Sequence, residues 1–250
     1  MNKFIGIIPA RYASSRFPGK PLADIGGITM IERVYRQVKK ELDQVYVATD
    51  DDKIYDTVQS FGGKAIMTST EHRSGTDRVN EAYHAIDTDA NIIINIQGDE
   101  PFVAPEQIAI IKKCFDDPDT QIATLARKYD AANGFEGLFD PNKVKVIFDN
   151  NDFAIYFSRA ILPYVRNYKW NEWLQHRDFY IHVGMYAYRN DVLDNVTKLP
   201  QSSLELAESL EQLRWLQNGY KIKVALTDAP TFGIDTPEDL EQAKKLFNIQ

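Results

Sequence analysis

The sequence of 250 residues has one cysteine, Cys114, and no apolar run long enough to cross a membrane. A single cysteine cannot form an internal disulfide, so nothing indicates an oxidising compartment. The first apolar run, Phe4–Ile8, ends at Pro9 and is too short for a signal peptide. We therefore expect a cytoplasmic protein with no membrane association, in which Cys114 is a buried and unreactive thiol.

Positive charge is also in the minority. The chain has 29 Lys and Arg residues against 36 Asp and Glu residues, a formal net charge of −7. Because nucleic-acid-binding domains are usually basic, nucleic acid is not expected as a partner. The four histidines and the cysteine lack the spacing of a zinc or iron site. Any cluster of basic residues therefore needs a local explanation.

Short apolar runs alternate with amphipathic segments through the first half of the chain. This alternation is typical of an α/β fold in which a mostly parallel sheet is flanked by helices. The predicted strands are Phe4–Ile8, Gln44–Ala48, Lys64–Met67, Ile92–Ile96 and Gln121–Leu125. The predicted helices carry the apolar faces Ile31, Val34, Tyr35 and Val38, then Ile54, Val58 and Phe61, and a third helix spans Pro105–Phe115.

The pattern changes from Asn142 onward. The longer runs Val144–Phe148, Phe153–Phe157 and Ile181–Tyr188 indicate an insertion with a mixed sheet. A single helix is predicted over Leu204–Asn218, where Leu206, Leu210, Leu213 and Leu216 form a buried stripe and Gly219 ends the helix.

The last segments resemble the core again, with a strand at Ile222–Ala225 and a helix that begins at Pro237. We therefore expect one domain. Its core comprises about residues 1–130 and 220–250, and the insertion comprises about residues 131–219.

The loop after the first strand concentrates positive charge. Arg11, Arg16 and Lys20 lie within ten residues, together with the hydroxyls of Ser14 and Ser15. In an open α/β sheet, ligands bind beyond the carboxyl ends of the strands, which is where this loop begins. Cations, hydroxyls and backbone N–H groups match a polyanion such as a nucleoside triphosphate. The loop lacks the spacing of a Walker loop and of GxGxxG, and the alternative is an ordinary solvated loop.

Two aspartates are candidates to hold a metal ion near this loop. Asp99 follows the fourth predicted strand, so its carboxylate should lie at the same edge of the sheet as the basic loop. Asp235 immediately precedes the last predicted helix. Two carboxylates suit Mg²⁺, which takes its other ligands from water and substrate oxygens. The alternatives are a turn residue for Asp99 and a helix N-cap for Asp235.

Eight motifs, in order, resemble those of the CMP-Kdo synthetases (3-deoxy-manno-octulosonate cytidylyltransferases) among the sugar nucleotidyltransferases with a Rossmann-like fold. The resemblance covers nearly the whole chain. The motifs are Ile7–Leu22 (IIPARYASSRFPGKPL), Val47–Asp50 (VATD), Ser74–Arg78 (SGTDR), Asn95–Pro101 (NIQGDEP), Asn142–Val146 (NKVKV), Phe157–Pro163 (FSRAILP), Leu210–Arg214 (LEQLR) and Asp235–Leu240 (DTPEDL).

The resemblance implies roles for residues of the nucleotide site. Arg11, Ser14 and Lys20 should bind the phosphates of CTP. The remaining nucleotide-binding residues implied by the family are Ala10, Ser74, Gly75 and Arg78. Asp99 and Asp235 should bind Mg²⁺, and catalysis should depend on these two aspartates together with Arg11 and Lys20. Arg73 lies beside the SGTDR motif and receives no role.

The resemblance also implies a sugar site. Gln97 should contact the sugar, Arg159 and Arg166 its carboxylate or nearby oxygens, and His182, Tyr186, Glu211 and Gln212 its hydroxyls. A sugar acid needs a cation to bind its carboxylate and polar side chains to bind its hydroxyls, and these residues offer both. The alternatives are a structural histidine for His182 and an ordinary solvated helix face for Glu208, Glu211 and Gln212.

As a family member, the chain is expected to join CMP from CTP to Kdo, releasing pyrophosphate, in lipopolysaccharide biosynthesis. The alternatives are activation of sialic acid or an amino-Kdo, a non-catalytic nucleotide-binding protein on the same fold, and a glycosyltransferase. The family implies a homodimer. Tyr156, Tyr164, Trp170, Trp173 and Tyr180 are candidates for its interface or for the core.

Overall fold

A computed structural model describes residues 2–14, 16–247 and 249. Its strands are β1 (Phe4–Ala10), β2 (Val45–Thr49), β3 (Ala65–Met67), β4 (Ile92–Asn95), β5 (Ile122–Lys128), β6 (Lys145–Phe148), β7 (Ala154–Ser158), β8 (Tyr180–Arg189) and β9 (Ile222–Leu226). Its α-helices are α1 (Met30–Val38), α2 (Asp52–Ser60), α3 (Gly75–Ala85), α4 (Pro105–Lys113), α5 (Trp173–His176), α6 (Asn190–Val196), α7 (Ser203–Glu208), α8 (Gln212–Gln217) and α9 (Pro237–Leu246).

The first three helices begin at polar N-cap residues. Thr29, Asp51 and Ser74 each accept a hydrogen bond from the backbone N–H three positions later. These bonds satisfy N–H groups that have no partner within the helix. The helix boundaries in this part of the chain are therefore set by local sequence.

The first of two compact units comprises Met1–Ala109, Ala187–Thr197 and Pro230–Gln250. Four of its strands pair in the order β3-β2-β1-β4, and all three pairings are parallel. The predicted apolar face of α1 is buried, as are the isoleucines of β1 and β4. Because the strands are parallel, the loops that follow β1 and β4 emerge at the same edge of the sheet.

The second unit comprises Ile110–Tyr186 and Lys198–Ala229. Within it β5 pairs in parallel with β9, and β6 pairs antiparallel with β7 and β8. The predicted α/β class, with a mostly parallel sheet and some antiparallel strands, is confirmed. The unit begins and ends outside the expected insertion at residues 131–219, because β5 and β9 pair with each other here.

The prediction of one helix over Leu204–Asn218 is wrong. Ser209 adopts a left-handed conformation, with φ 53°, and separates α7 from α8. Glu205, which precedes this break, is buried. It pairs with Arg214, whose Nε donates to Glu205 Oε2 at 2.8 Å. Leu210 and Leu213 are buried as predicted, but Leu206 is 61 % exposed. A buried ion pair thus replaces part of the predicted leucine stripe.

Two smaller expectations are confirmed. Cys114 is buried, and this burial raises the pKa of its thiol to about 11. Gly219, with φ 82°, follows the last turn of α8 and ends it. Within the described part of the chain, no helix combines the length and apolarity that a membrane span requires.

Candidate active site

The basic loop after β1 folds back on itself around a glycine. The Gly19 N–H donates to the Tyr12 carbonyl at 2.9 Å, and Gly19 has φ 69°, a region that favours glycine. A Cβ at this position would lie 3.1 Å from the Tyr12 ring. A short 3₁₀ turn, Lys20–Leu22, follows directly. This turn directs Lys20 inward, so that its side chain is only 13 % exposed.

Lys20 contacts both aspartates that the sequence singled out. Its ammonium Nζ lies 2.7 Å from Asp99 Oδ2 and 3.1 Å from Asp235 Oδ1. Arg16 Nη2 lies 3.2 Å from the same oxygen of Asp235. Two carboxylates and two cations from three distant segments therefore meet in one place, as the sequence predicted for Lys20, Asp99 and Asp235.

Asp99 is held in place by its neighbours in the loop after β4. Gly98 approaches β1 so closely that a Cβ there would lie 2.8 Å from the Pro9 carbonyl oxygen. The Asp99 carbonyl accepts a hydrogen bond from the Ile234 N–H at 2.9 Å. This bond joins the loop after β4 to the segment that carries Asp235.

Asp235 is not the N-cap of α9, which was the alternative to a metal-binding role. Thr236 is the N-cap, and its hydroxyl accepts from the Asp239 N–H at 3.2 Å. The Asp239 carboxylate in turn accepts from the N–H groups of Thr236 and Asp235, at 2.9 and 3.0 Å. This capping box leaves the Asp235 carboxylate available to the cations of the basic loop.

A polar cavity of about 270 Å³ lies beside these groups, within the first unit. It is lined by Ala10, Arg11, Ser14, Lys20, Ser74, Gly75, Arg78, Gln97, Asp99 and Asp235, together with Pro9, Arg16, Pro21, His72, Arg73 and Gly98. Every described residue that was predicted for the nucleotide or the metal lines this one cavity, and Gln97 is with them. Ser15, the other hydroxyl proposed for the phosphates, lies outside the described residues.

Two of the lining residues also stabilise α3. The Ser74 hydroxyl accepts from the Asp77 N–H at 3.1 Å. The buried Arg78 guanidinium donates to Thr68 Oγ1 and to Asp50 Oδ2, both at 2.6 Å. Asp50 ends the VATD motif, so Arg78 connects two motifs that are separate in the sequence. The N-terminus of α3 faces the cavity with backbone N–H groups that suit an anion.

Reasoning from the sequence assigned no role to His72 and Arg73, although both line the cavity. The His72 ring contacts the Glu81 carboxylate through Nε2. Burial pushes the pKa of Glu81 upward, but hydrogen bonds from His72 and the Ser69 N–H outweigh this effect and lower it. For His72 and Arg73, the only signal in the sequence was their position directly before the SGTDR motif.

The two aspartates that line the cavity suit magnesium better than a transition metal. No group of three or more His, Cys, Asp or Glu side chains is arranged to hold a metal ion in the described ranges. Asp99 and Asp235 supply two hard oxygen ligands around one cationic position, now filled by the Lys20 ammonium. Mg²⁺ needs no more than this from a protein when phosphates and water complete its shell.

Glu100 follows Asp99 in the chain. Burial of Glu100 and the charge of Asp99 raise the pKa of Glu100 to about 7.

In the second unit, Arg159 bonds to the main chain. Its guanidinium donates to three carbonyls: Glu208 at 2.6 Å, Pro141 at 2.8 Å and Ser209 at 3.3 Å. A guanidinium has five N–H donors, so this pattern leaves two for a ligand. Arg166 lies seven residues farther along the same connection after β7 and is exposed.

His182 and Tyr186 lie four residues apart on β8, so they are on the same face of the strand. The His182 ring contacts the rings of Phe157 and Tyr186, with centroids 5.1 and 5.3 Å away. Burial lowers the pKa of His182 to about 3, so the ring is neutral near pH 7. The Thr124 hydroxyl donates to the Met185 carbonyl at 2.8 Å and therefore accepts from His182 Nε2 at 3.0 Å. This tautomer leaves Nδ1 as a hydrogen-bond acceptor.

Glu211 and Gln212 stand at the start of α8. Gln212 is buried, with 5 % of its surface exposed, so the alternative of a fully solvated helix face does not apply to it. Glu211 lies 3.9 Å from Arg214 and remains partly exposed. Trp215 on the same helix packs edge-on against Tyr186, with centroids 5.1 Å apart. This contact brings α8 close to β8.

Both the sequence and the fold are similar to those of known proteins. Residues 5–222 match the family model of the cytidylyltransferases. A 3-deoxy-manno-octulosonate cytidylyltransferase of Parabacteroides distasonis is 62 % identical over 244 residues, which cover 97 % of each chain. One from Bacteroides thetaiotaomicron is 57 % identical over 245 residues, which cover 98 % of each chain.

A solved structure provides the corresponding match in three dimensions. It is a CMP:2-keto-3-deoxy-manno-octonic acid synthetase complexed with CTP, and it superposes with a TM-score of 0.89. The two chains are 44 % identical, and the match covers 99 % of each. The likeness therefore includes both compact units of this chain.

Proposed function

The chain belongs to the family of 3-deoxy-manno-octulosonate cytidylyltransferases, and on that premise we propose that it converts CTP and Kdo into CMP-Kdo and pyrophosphate. One observation in the structure supports this proposal above the others. Lys20, Asp99 and Asp235 converge beside a polar cavity that the basic loop lines. Such a cavity suits a nucleoside triphosphate together with a divalent cation.

The reaction is a substitution at phosphorus. The anomeric hydroxyl oxygen of Kdo forms a bond to the α-phosphorus of CTP, and the hydroxyl proton passes to water. The bond between the α-phosphorus and the oxygen that bridges to the β-phosphorus breaks, and pyrophosphate leaves with the electron pair. This chemistry requires in-line positioning and neutralisation of charge rather than a nucleophilic side chain.

We propose that the first unit binds the triphosphate. Arg11, Lys20 and the N-terminus of α3, at Ser74 and Gly75, offer positive charge and N–H donors around the cavity. Fixed charges in a preorganised site stabilise the charge that develops on the departing pyrophosphate. Arg78 contributes by holding α3 against Asp50.

We propose Mg²⁺ as the cofactor, held by Asp99 and Asp235. Their carboxylates already share one cationic position, which supports this assignment. When bound, Mg²⁺ would neutralise charge on the α-phosphate and lower the pKa of the attacking hydroxyl. The Lys20 ammonium occupies that position in this structure and would have to move aside for the metal ion.

We propose that the sugar is held by the residues that the family resemblance assigns to it. The remaining donors of Arg159 and the exposed Arg166 suit the carboxylate of Kdo, and Gln97, Tyr186, Glu211 and Gln212 suit its hydroxyls. His182 is neutral, so it contributes hydrogen bonding rather than charge. Its acceptor atom Nδ1 would accept a hydrogen bond from a sugar hydroxyl.

A matrix of substrates tests the function. Purified protein is incubated with each of four nucleoside triphosphates and with Kdo, sialic acid or an amino-Kdo, and pyrophosphate release is followed with Mg²⁺ or with EDTA. We expect release with CTP and Kdo in the presence of Mg²⁺. Preference for another sugar acid would reassign the substrate, and CTP binding without release from any pair would indicate a non-catalytic nucleotide-binding protein.

We also propose a cytoplasmic homodimer. A cytoplasmic location gives access to the CTP pool. Tyr164 and Trp170 are 71 % and 57 % exposed and are the best candidates for an interface, whereas Trp173 is buried in the core. Light scattering of the purified protein, together with charged substitutions at Tyr164 and Trp170, tests the dimer.

A further inference from the structure

We propose that Glu208 is a positioning residue that orients Glu211 and Gln212 toward the sugar, an inference that rests on the proposed function. Glu208 lies at the end of α7 and binds the end of β7. Its carboxylate accepts from the Ser158 hydroxyl at 2.6 Å and from the Arg159 N–H at 2.9 Å. The carboxylate therefore fixes the helix end to a strand of the sheet.

Arg159 in turn contacts Glu208 through its side chain. Its guanidinium donates to the carbonyls of Glu208 and Ser209, at 2.6 and 3.3 Å. Each residue thus binds the main chain of the other with its side chain. We refer to these contacts among Ser158, Arg159, Glu208 and Ser209 as the β7 clamp. Through Pro141, whose carbonyl also accepts from Arg159, the clamp reaches the loop before β6.

The clamp lies at the point where the orientation of α8 is set. Ser209 is in the left-handed region, with φ 53°, a conformation that is strained for a residue with a side chain. Such strain persists only when surrounding contacts hold it. α8 has six residues, too few to be stable without tertiary contacts. Glu211 and Gln212 stand two and three positions after Ser209, so we expect a movement of the clamp to displace them.

The negative charge of Glu208 is needed as well as its hydrogen bonds. Lys145 is fully buried and lies opposite Ser158 in the antiparallel pairing of β6 and β7. Its ammonium donates to the Asp140 carbonyl at 3.1 Å. Burial lowers the pKa of Lys145, and the charges of Asp140 and Glu208 oppose this effect. Glutamine at position 208 would supply one acceptor in place of two and would leave Lys145 and Arg159 with less compensation.

A different role for Glu208 would be direct contact with the sugar. Ser158 separates the two roles because it is 2 % exposed and cannot touch a substrate. Removing its hydroxyl weakens the clamp, and it also removes the acceptor of the Ala160 N–H, which lies 3.0 Å from Ser158 Oγ. Thr120 offers a matched control in the second unit: it is also buried, and its hydroxyl donates to the Cys114 carbonyl at 2.7 Å.

The test compares the variants Glu208→Gln, Ser158→Ala, Thr120→Ala and the double variant Ser158→Ala/Glu208→Gln in steady-state kinetics with CTP and Kdo. We expect Glu208→Gln and Ser158→Ala each to raise KM for Kdo, by roughly tenfold for Glu208→Gln, while KM for CTP stays within about twofold. The double variant should be no worse than Glu208→Gln, because both changes break one clamp. Thr120→Ala should lower the melting temperature and leave KM for Kdo unchanged.

Three results would overturn the proposal: an unchanged KM for Kdo in Glu208→Gln, a rise in Glu208→Gln that Ser158→Ala does not share, or an equal rise in Thr120→Ala. Hydrogen exchange of the peptide 204–213 without substrate provides a reading that is independent of the function. Faster exchange in Glu208→Gln supports the clamp, and exchange equal to that of the wild type contradicts it. If the unmodified protein fails to use Kdo, the proposed function is wrong, and this exchange measurement still tests the clamp.

Discussion

Asp99 and Asp235 contact the same ammonium group, that of Lys20, at 2.7 and 3.1 Å. The two aspartates come from the loop after β4 and from the residue before the N-cap of α9. A backbone hydrogen bond from the Ile234 N–H to the Asp99 carbonyl, 2.9 Å long, joins these segments. The position between two carboxylates thus suits a cation, and its chemical consequences can be tested residue by residue.

Substitution of Asp99 by asparagine should abolish most turnover while the protein remains folded. The change removes a negative charge that is proposed to hold Mg²⁺, and the loss of one preorganised electrostatic contact costs on the order of 3 kcal/mol, or roughly a hundredfold in rate. Pyrophosphate release with Mg²⁺ measures the effect. Asp178→Asn is the control, since Asp178 forms only a surface ion pair with Lys128. Near-normal turnover of folded Asp99→Asn would contradict the assignment.

Asp235 and Thr236 are adjacent but should respond differently to substitution. Thr236→Ala removes the N-cap of α9 and should lower the free energy of unfolding by about 1 kcal/mol, with kcat changed much less. Asp235→Asn retains the cap and should reduce kcat strongly with little change in melting temperature. Thermal unfolding and steady-state kinetics of the two variants check this separation. Equal losses of kcat in both variants would show that the carboxylate has no special role.

Alanine at Gly98 should disturb the site, because its Cβ would meet the Pro9 carbonyl oxygen at 2.8 Å. Backbone atoms on both sides cannot move cheaply, so we expect a destabilisation of roughly 1–3 kcal/mol and lower turnover. Gly233→Ala is the matched control, because no atom lies within 4 Å of a Cβ built there. Denaturant unfolding of both variants measures the difference, and equal stability would refute the close approach.

The buried His182 should make stability depend on pH. Its pKa is about 3 in the folded protein against 6.5 for an ordinary histidine. Below about pH 6.5 the unfolded state therefore binds a proton that the folded state does not, so the free energy of unfolding falls as pH decreases toward 3. Above this window His182 contributes no slope. His182→Gln should flatten this part of a curve of melting temperature against pH, and an unchanged slope would show that another group is responsible.

Much of the fold could be predicted from the sequence because its signals are local. The apolar runs that became β1, β2, β4 and β5 stand between turns and amphipathic segments, and the hydroxyl or carboxylate N-caps lie directly before α1, α2 and α3. The loop after β1 could be predicted as a candidate phosphate site for the same reason. Its cations, hydroxyls and glycine are contiguous, and its position after the first strand fixes the edge of the sheet at which it lies.

The helix predicted over Leu204–Asn218 failed because its outcome depends on distant partners. Glu205 is buried against Arg214, and Glu208 is held by Ser158 and Arg159. These contacts stabilise the left-handed conformation of Ser209, which local helix propensity opposes. Periodicity records which side chains are apolar, but it does not record a buried ion pair that competes with a leucine stripe.

The sequence by itself determined the α/β class, the basic loop and the identity of the two carboxylates, since each depends on residues that are adjacent or regularly spaced. Tertiary structure alone decided that Thr236 caps α9 while Asp235 contacts Lys20, and that the guanidinium of Arg159 bonds to the main chain around Ser209. The reason is that one polar side chain has several partners of similar energy. Only the packing of segments remote in the chain determines which partner lies within hydrogen-bonding distance.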